Sequence, residues 1–304
     1  MTISSGNFSK LLMPGLYSVW GVKYNDWDKE YPNLVEVTTS KKRYEELVGY
    51  SGLGLLSVKA EGAPVTYDTS RQGLVQRSIH NVYSSGFMIT REMYDDNQYD
   101  SSVLGLKDTK ELAKAANQTL ETVVANVYNR AQNSSYTFSD GKVLCATDHG
   151  NLAGGTWQNR PTNNADLSEL AVEQACITIG KWTNDRGMKA KILPQRLVGP
   201  VDLQFEMNRL LKTEKQVDTA NNTISAIYNM GVFPKGYAVN HYLTDTDAWF
   251  IRTDVTDGAI LFMRDNVEFA NGSDFETENA KFLVRVRFSV TVGDPRTTYG
   301  SAGA

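Results

Sequence analysis

The sequence predicts an α+β fold, and three observations carry that reading. Val65 to Met93 is an extended stretch rich in Val, Ile, Thr, Tyr and Phe. A long amphipathic helix with one apolar stripe follows it. Near the C-terminus, Phe282, Val284, Val286, Phe288 and Val290 alternate with Leu283, Arg285, Arg287, Ser289 and Thr291. That alternation is the mark of a half-buried antiparallel strand.

Residues 1–50 read as an N-terminal arm, in which Tyr17, Trp20, Tyr24, Trp27 and Tyr31 are scattered without strand alternation. A short helix is expected over Lys41 to Val48, ended by Gly49. Ser51 to Lys59, with Gly52 and Gly54, reads as a flexible join. Val65 to Met93, punctuated by Gly73 and Gly86, reads as a polar-leaning hairpin with too few strong apolar residues to bury both faces. A two-stranded hairpin is marginal by itself in water. It should therefore lie on something else, and a neighbouring subunit is the natural candidate.

Asp108 and Glu111 have capping-box spacing and predict a helix start. Leu112, Ala116, Leu120, Val123, Val124, Val127 and Ala131 then recur at threes and fours, so a helix is predicted over 109–132. Its length is about 24 residues, a rod of roughly 36 Å. An extended arm feeding a long rod suits assembly better than enclosing a substrate.

Asn133-Ser134-Ser135 and Ser139-Asp140-Gly141 mark a boundary, and Gly150 to Asn164 reads as a surface loop. Asp166 is expected to cap a helix with Glu169 in box position. Leu167, Leu170, Ala171 and Ala175, widened by Ile177 and Ile179, give that helix its apolar face, and Gly187 stops it. Ala190 to Val198 reads as a strand broken by Pro194. Pro200 opens a third helix carrying Leu203, Phe205, Met207, Leu210 and Leu211. Trp249 to Arg252, Ala259 to Met263 and Phe282 to Val292 are the later strands. Pro295 should end the last of them.

Composition narrows the function classes. The chain has 304 residues, enough for one large domain or two modest ones, with a globular balance of 41% hydrophobic and 22% charged residues. Its 31 basic and 35 acidic residues leave a net charge of −4, which argues against condensing nucleic acid by neutralisation. Lys41-Lys42-Arg43 is followed directly by Glu45 and Glu46 and reads as a solvated helix face. Cys145 and Cys176 stand far apart, so no disulfide framework is expected, and a reducing compartment fits. No signal peptide and no membrane span are predicted, and the chain reads as a soluble protein made in a cytoplasm.

No phosphate loop, dinucleotide fingerprint or nucleophile elbow occurs in the sequence. His80, His149 and His241 are widely spaced. Cys145, Asp148 and His149 offer three metal-ligating groups, but without a fourth at recognisable spacing they read as a strand end with His149 bonded locally. Asp245, Asp247, Asp254 and Asp257 lack a calcium-loop register and read as turn aspartates. No catalytic, cofactor-binding or metal residue is expected.

The chain does resemble a known family. The residues that carry the resemblance begin with Glu61-Gly62, Tyr67-Asp68, Gly86-Phe87, Ile89 through Met93, Asp96 and Tyr99. They continue through Thr147-Asp148-His149, Asp166 to Glu169, Trp182 to Gly187 and Leu197 to Pro200. They are densest at Thr219 to Asn222 and from Phe233-Pro234 through Asn240 to Asp245 and Asp247 to Phe250, and they close with Asp294-Pro295-Arg296 and Tyr299-Gly300-Ser301. In order and spacing these residues are similar to tailed-bacteriophage major capsid proteins of the Hong Kong 97-type fold, in the Mu-like head-subunit branch.

The resemblance implies a layout and a role. Residues 1–50 would be the arm and 51–93 the extended loop. Residues 94–140 and 259–293 would form a peripheral domain around a spine helix at 109–132, and 141–258 with 294–304 an axial domain. Hexamers and pentamers of the chain would form an icosahedral virion shell in the bacterial host cytoplasm, enclosing double-stranded DNA without reading its sequence. A portal protein would be a partner, scaffold or decoration proteins are further candidates, and no cofactor is implied. Some members cross-link subunits through a Lys and an Asn assisted by a Glu; Lys59 lies near the loop, but no such triad is recognisable and Lys59 reads as a solvated charge. The rivals are a tail-tube or decoration protein and, more distantly, a soluble hydrolase.

Overall fold

The alternating residues near the C-terminus form the core of a four-stranded sheet. The computed structural model describes residues 8–90, 92, 105–215, 224–274, 276–277 and 279–304. Arg91, Met93, Asp96, Tyr99 and Thr219 to Asn222, on which part of the resemblance rests, lie outside them. Strand β11 (Ala280–Val292) pairs antiparallel with β10 (Ala259–Ser273) on one side and β4 (Asn81–Ile89) on the other. Strand β1 (Glu36–Thr39) adds to β10 in parallel. Phe282, Val284, Val286 and Phe288 are all buried, as their period-two spacing requires.

Helix α3 (Leu106–Asn129) lies across this sheet, and Leu120 and Val124 share a core with Leu261, Val286 and Phe288. Burial of each such side chain contributes roughly 1.5–3 kcal/mol. The helix starts three residues earlier than its capping spacing suggests. Gly105 is the N-cap, in a left-handed conformation, and its carbonyl accepts Thr109 N–H. Asp108 thus sits inside the first turn, where its charge suits the helix dipole, and Glu111 pairs with Lys114 instead of capping.

Residues 8–50 carry more regular structure than their sequence announces. Helix α1 (Phe8–Asn25) packs Leu16 and Trp20 against Leu112, Ala113, Phe269 and Phe282. Trp20 stacks on Tyr24 at 5.5 Å and on Phe269 at 5.3 Å. The short α2 (Tyr31–Leu34) then buries Tyr31 and Leu34. Tyr17, Trp20 and Tyr24 follow a 3-4 spacing in the sequence, which is the signal of a helix stripe, and Trp27 and Tyr31 lie beyond the end of α1.

Lys41 to Val48 is not a helix. Tyr44–Tyr50 is strand β2, paired antiparallel with β3 (Gln72–Ile79). Its residues alternate between exposed and half-buried, and the cross-strand ion pair Arg77–Glu46 at 2.6 Å supports that pairing. The extended element is therefore built from 44–50 and 72–79, while β4 belongs to the large sheet rather than to a hairpin with β3.

Strands β5 (His149–Gly150) and β6 (Thr156–Trp157) form a short antiparallel pair. A second four-stranded sheet runs in the order β12 (Thr298–Ser301), β9 (Trp249–Thr253), β7 (Pro194–Gly199), β8 (Tyr237–Val239). Helices α4 (Glu169–Lys181), α5 (Gln204–Lys212) and α6 (Ala226–Met230) accompany it. Strand β7 begins at Pro194 instead of being broken by it. Pro200 caps a single 3-10 turn at Val201–Leu203 before α5. The cap of α4 is Ser168, which accepts Ala171 N–H, and not Asp166; the helix ends at Lys181, well before Gly187. Its buried face is Val172, Ala175 and Ile179, which leaves Leu170 and Ile177 exposed. The buried face follows the 3-4 spacing of Val172, Ala175 and Ile179, and Leu170 and Ile177 fall off it.

Candidate assembly surfaces

The β2–β3 pair carries residues 51–71 as a long loop at its end. Gly49 and Gly73 lie backbone to backbone within the pair: a Cβ on Gly49 would sit 3.2 Å from the Leu74 carbonyl, beside the register shift between Val48 and Tyr50. On the loop, Leu55, Leu56, Val58 and Tyr67 are 87%, 99%, 101% and 91% exposed. Four nearly bare apolar side chains on one segment mark a surface built to be covered.

One polar clasp ties this loop to the rest of the chain. Asp68 accepts Gly54 N–H at 2.7 Å and two donors of Arg186, at 2.6 and 3.0 Å, while Arg186 also reaches the Thr69 carbonyl. The Gly54 and Thr69 amides, followed by the Arg186 charge, hold the Asp68 carboxyl below the usual carboxylate range. Between the base of the arm and the body runs a groove of about 570 Å³, with Leu47, Tyr50 and Leu74 on one wall and Leu152, Trp157 and Arg296 on the other.

A second exposed apolar group lies on the helices that accompany the second sheet. Phe205 on α5, Met230 and Tyr228 on α6, and nearby Ile224 are all solvent-facing. Of the apolar residues that the third helix carries, α5 buries Met207 and leaves Phe205 exposed.

Behind the groove, a polar joint ties the chain end to the second sheet. Asn159 is fully buried and accepts Ala146 N–H at 2.8 Å. Its amide donates to the carbonyls of Leu144, Pro295 and Thr298 at 2.7–3.1 Å. His149 lies with Nδ1 2.6 Å from Asp140 Oδ2 and Nε2 3.1 Å from Asn159 Oδ1, its ring stacked on Trp157. Arg296 stands over the other part of the Trp157 environment, 4.5 Å from that ring, and bonds Thr183, Asn151, Asp185 and Asp294. Asn159 lies in the stretch read from sequence as a surface loop. Nothing in an Asn-rich, Gly-rich segment distinguishes the one asparagine that turns inward.

The candidate ligating residues go to separate neighbours. Cys145 is buried in the apolar core, where desolvation pushes its thiol up to about 12. Asp148 pairs with Lys142, and His149 is bonded as above. Asp245 bonds to Asp247, and this contact, then burial, raises its carboxyl above the ordinary range. Asp254 accepts Leu193 N–H at 2.8 Å, and Asp257 has φ 57°, a turn conformation. Among the described residues, no group of three or more His, Cys, Asp or Glu is placed to hold a metal ion. Lys59 is exposed on the loop. No described helix is long and apolar enough to cross a membrane.

Comparison with known proteins follows the same boundaries. A family model described as phage capsid protein matches residues 81–301, from the first residue of β4 to the last of β12. Among solved structures, the virus-like particle from Pyrococcus furiosus aligns over 95% of this chain and 98% of its own, with a TM-score of 0.51 at 11% identity. The capsid of a native GTA particle aligns over 88% of each chain, with a TM-score of 0.52 at 11% identity. The capsid of Myoviridae phage XM1 aligns over 89% of this chain and 90% of its own, with a TM-score of 0.51 at 11% identity. At such identities the likeness is one of fold. No curated protein sequence matches the chain significantly.

Proposed function

Because this chain belongs to the phage capsid protein family, as a major capsid protein of the virion shell, we propose that it assembles as hexamers and pentamers into a closed icosahedral shell around double-stranded DNA. The loop at 51–71 carries this reading. Leu55, Leu56, Val58 and Tyr67 are bare in the single chain, and a second copy of the chain, repeated around each capsomer, would cover them. Many such contacts, each weak, become cooperative when every subunit makes several at once.

In this proposal residues 94–140 and 259–293 are the peripheral domain, with the long helix as its spine, and 141–258 with 294–304 the axial domain. Phe205, Met230 and Tyr228 would meet their symmetry mates near the capsomer axis. The net charge of −4 suits a wall that contains DNA without gripping it. The role is geometric and non-enzymatic, with portal, scaffold and decoration proteins as partners and assembly in the host cytoplasm. Membership of the Mu-like branch rests on the sequence resemblance. Negative-stain images of the purified, assembled chain provide the test. Hollow shells are expected; open tubes would point instead to a tail protein.

A further inference from the structure

We propose that Glu121 is a pH-responsive clamp, holding the N-terminal segment against the long helix while neutral and loosening it when ionised. The inference concerns the single chain and does not depend on its assembly.

Glu121 lies about two-thirds of the way along α3 and is 1% exposed. Its Oε1 accepts the Glu30 N–H at 2.8 Å, at the cap of α2, while Oε2 has no hydrogen-bond partner. Glu30 in turn bonds His241, through the ring at 2.5 Å and the backbone N–H at 2.9 Å. The joint therefore gathers the N-terminal segment, the long helix and the loop after β8 at one carboxyl group.

The groups that face Glu121 are mostly acidic or neutral. From the N-terminal segment come Asp28, Glu30 and the Tyr31 phenol; from the loop after β8 come His241, engaged with Glu30, and the Tyr242 phenol. Lys29, the nearby lysine of that segment, stands over the Tyr24 ring at 5.1 Å. Burial first, then the Glu30 and Asp28 charges, push the Glu121 carboxyl up to about 7, against the pull of the Glu30 and Tyr31 amides. Two other side chains of α3 hold the same segment: Asn117 donates to the Tyr24 carbonyl at 3.2 Å and Tyr128 to the Leu34 carbonyl at 2.7 Å. Amide and phenol keep one charge state around neutrality, so of these three links Glu121 alone responds to pH there.

The sign follows from linkage. A carboxyl raised in the docked state contributes its full stabilisation below its free value, near 4.3, and loses it as pH rises toward about 7. Docking should weaken across that window and level off above it. Glu121→Gln keeps the acceptor and removes the titration.

Hydrogen exchange of the full-length chain, corrected for intrinsic rates, tests this on residues 16–34. Between about pH 6 and about pH 8, protection of that segment should fall about tenfold in the wild type and less than about twofold in Glu121→Gln. Equal falls in the two proteins, or no fall in the wild type, would overturn the proposal. If Glu121→Gln does not fold, Glu30→Gln leaves Glu121 in place while removing a neighbouring charge. The pH midpoint of the loss should then move down, and an unmoved midpoint would overturn the proposal equally.

Discussion

Arg186 grips Asp68 with two parallel hydrogen bonds, at 2.6 and 3.0 Å, across 118 positions of the chain. A guanidinium forked onto a carboxylate fixes direction as well as distance. The pair therefore sets the angle at which the 51–71 loop leaves its arm. Both partners are partly exposed, so the bond governs orientation more than overall stability. Arg186→Ala should speed exchange of the 53–69 amides in the free chain and leave the melting temperature nearly unchanged. A large drop in melting temperature would show that the clasp bears on the fold itself.

Val124 is fully buried between the long helix and the first sheet. Val124→Asp places an unpaired carboxylate in that core and should cost several kcal/mol in denaturant unfolding. Gln118, exposed on the same helix, is the control: Gln118→Glu should change stability by no more than about 0.5 kcal/mol. If the two substitutions cost the same, the wrong face of the helix has been taken as buried.

What the sequence revealed depended on whether neighbours or distant partners decide an element. The long helix was legible because Leu112, Ala116, Leu120 and Val124 repeat its period, and the last strand because Phe282 to Val290 repeat a period of two. Local pattern suffices where one face is buried along the whole element. Strand β2 was not legible, because its lysine-rich entry and glutamates suit a helix equally well and its strand identity comes from pairing with residues about 30 positions away. The cap of α4 failed on a choice between Asp166 and Ser168, two good cap residues two positions apart. Asn159 was invisible for another reason: its partners at Pro295 and Thr298 lie 136 and 139 positions on.

The chain end returns to the second sheet as a strand, paired antiparallel with β9. All four residues of β12 are buried, and Tyr299 packs against Trp249 with ring centroids 6.1 Å apart. Tyr299→Ala should cost about 3–5 kcal/mol, the usual toll for removing a buried aromatic ring. Deleting 297–304 should cost more, because it also strips an edge strand and the Thr298 carbonyl from the Asn159 amide. Calorimetry of the two variants checks the order; an unchanged melting temperature in the deletion would contradict it.

Asp140 predicts the response to acid. Burial raises its carboxyl, but the bonds from His149 and the Lys142 amide more than offset this, and the net shift is downward. A depressed carboxylate contributes stability above its unfolded value, near 3.9, and loses it as pH falls through the folded one. Asp140→Asn should therefore flatten the decline of melting temperature below about pH 4. An equally steep decline in the variant would place the acid sensitivity elsewhere.

The central claim is that copies of this chain complete one another through the bare 51–71 loop. An electron cryo-microscopy reconstruction of assembled particles tests it most directly. The expected map shows closed shells of hexamers and pentamers, with Leu55, Leu56, Val58 and Tyr67 covered by a neighbouring subunit. A helical tube, or a shell in which that loop touches only its own chain and solvent, would contradict the account.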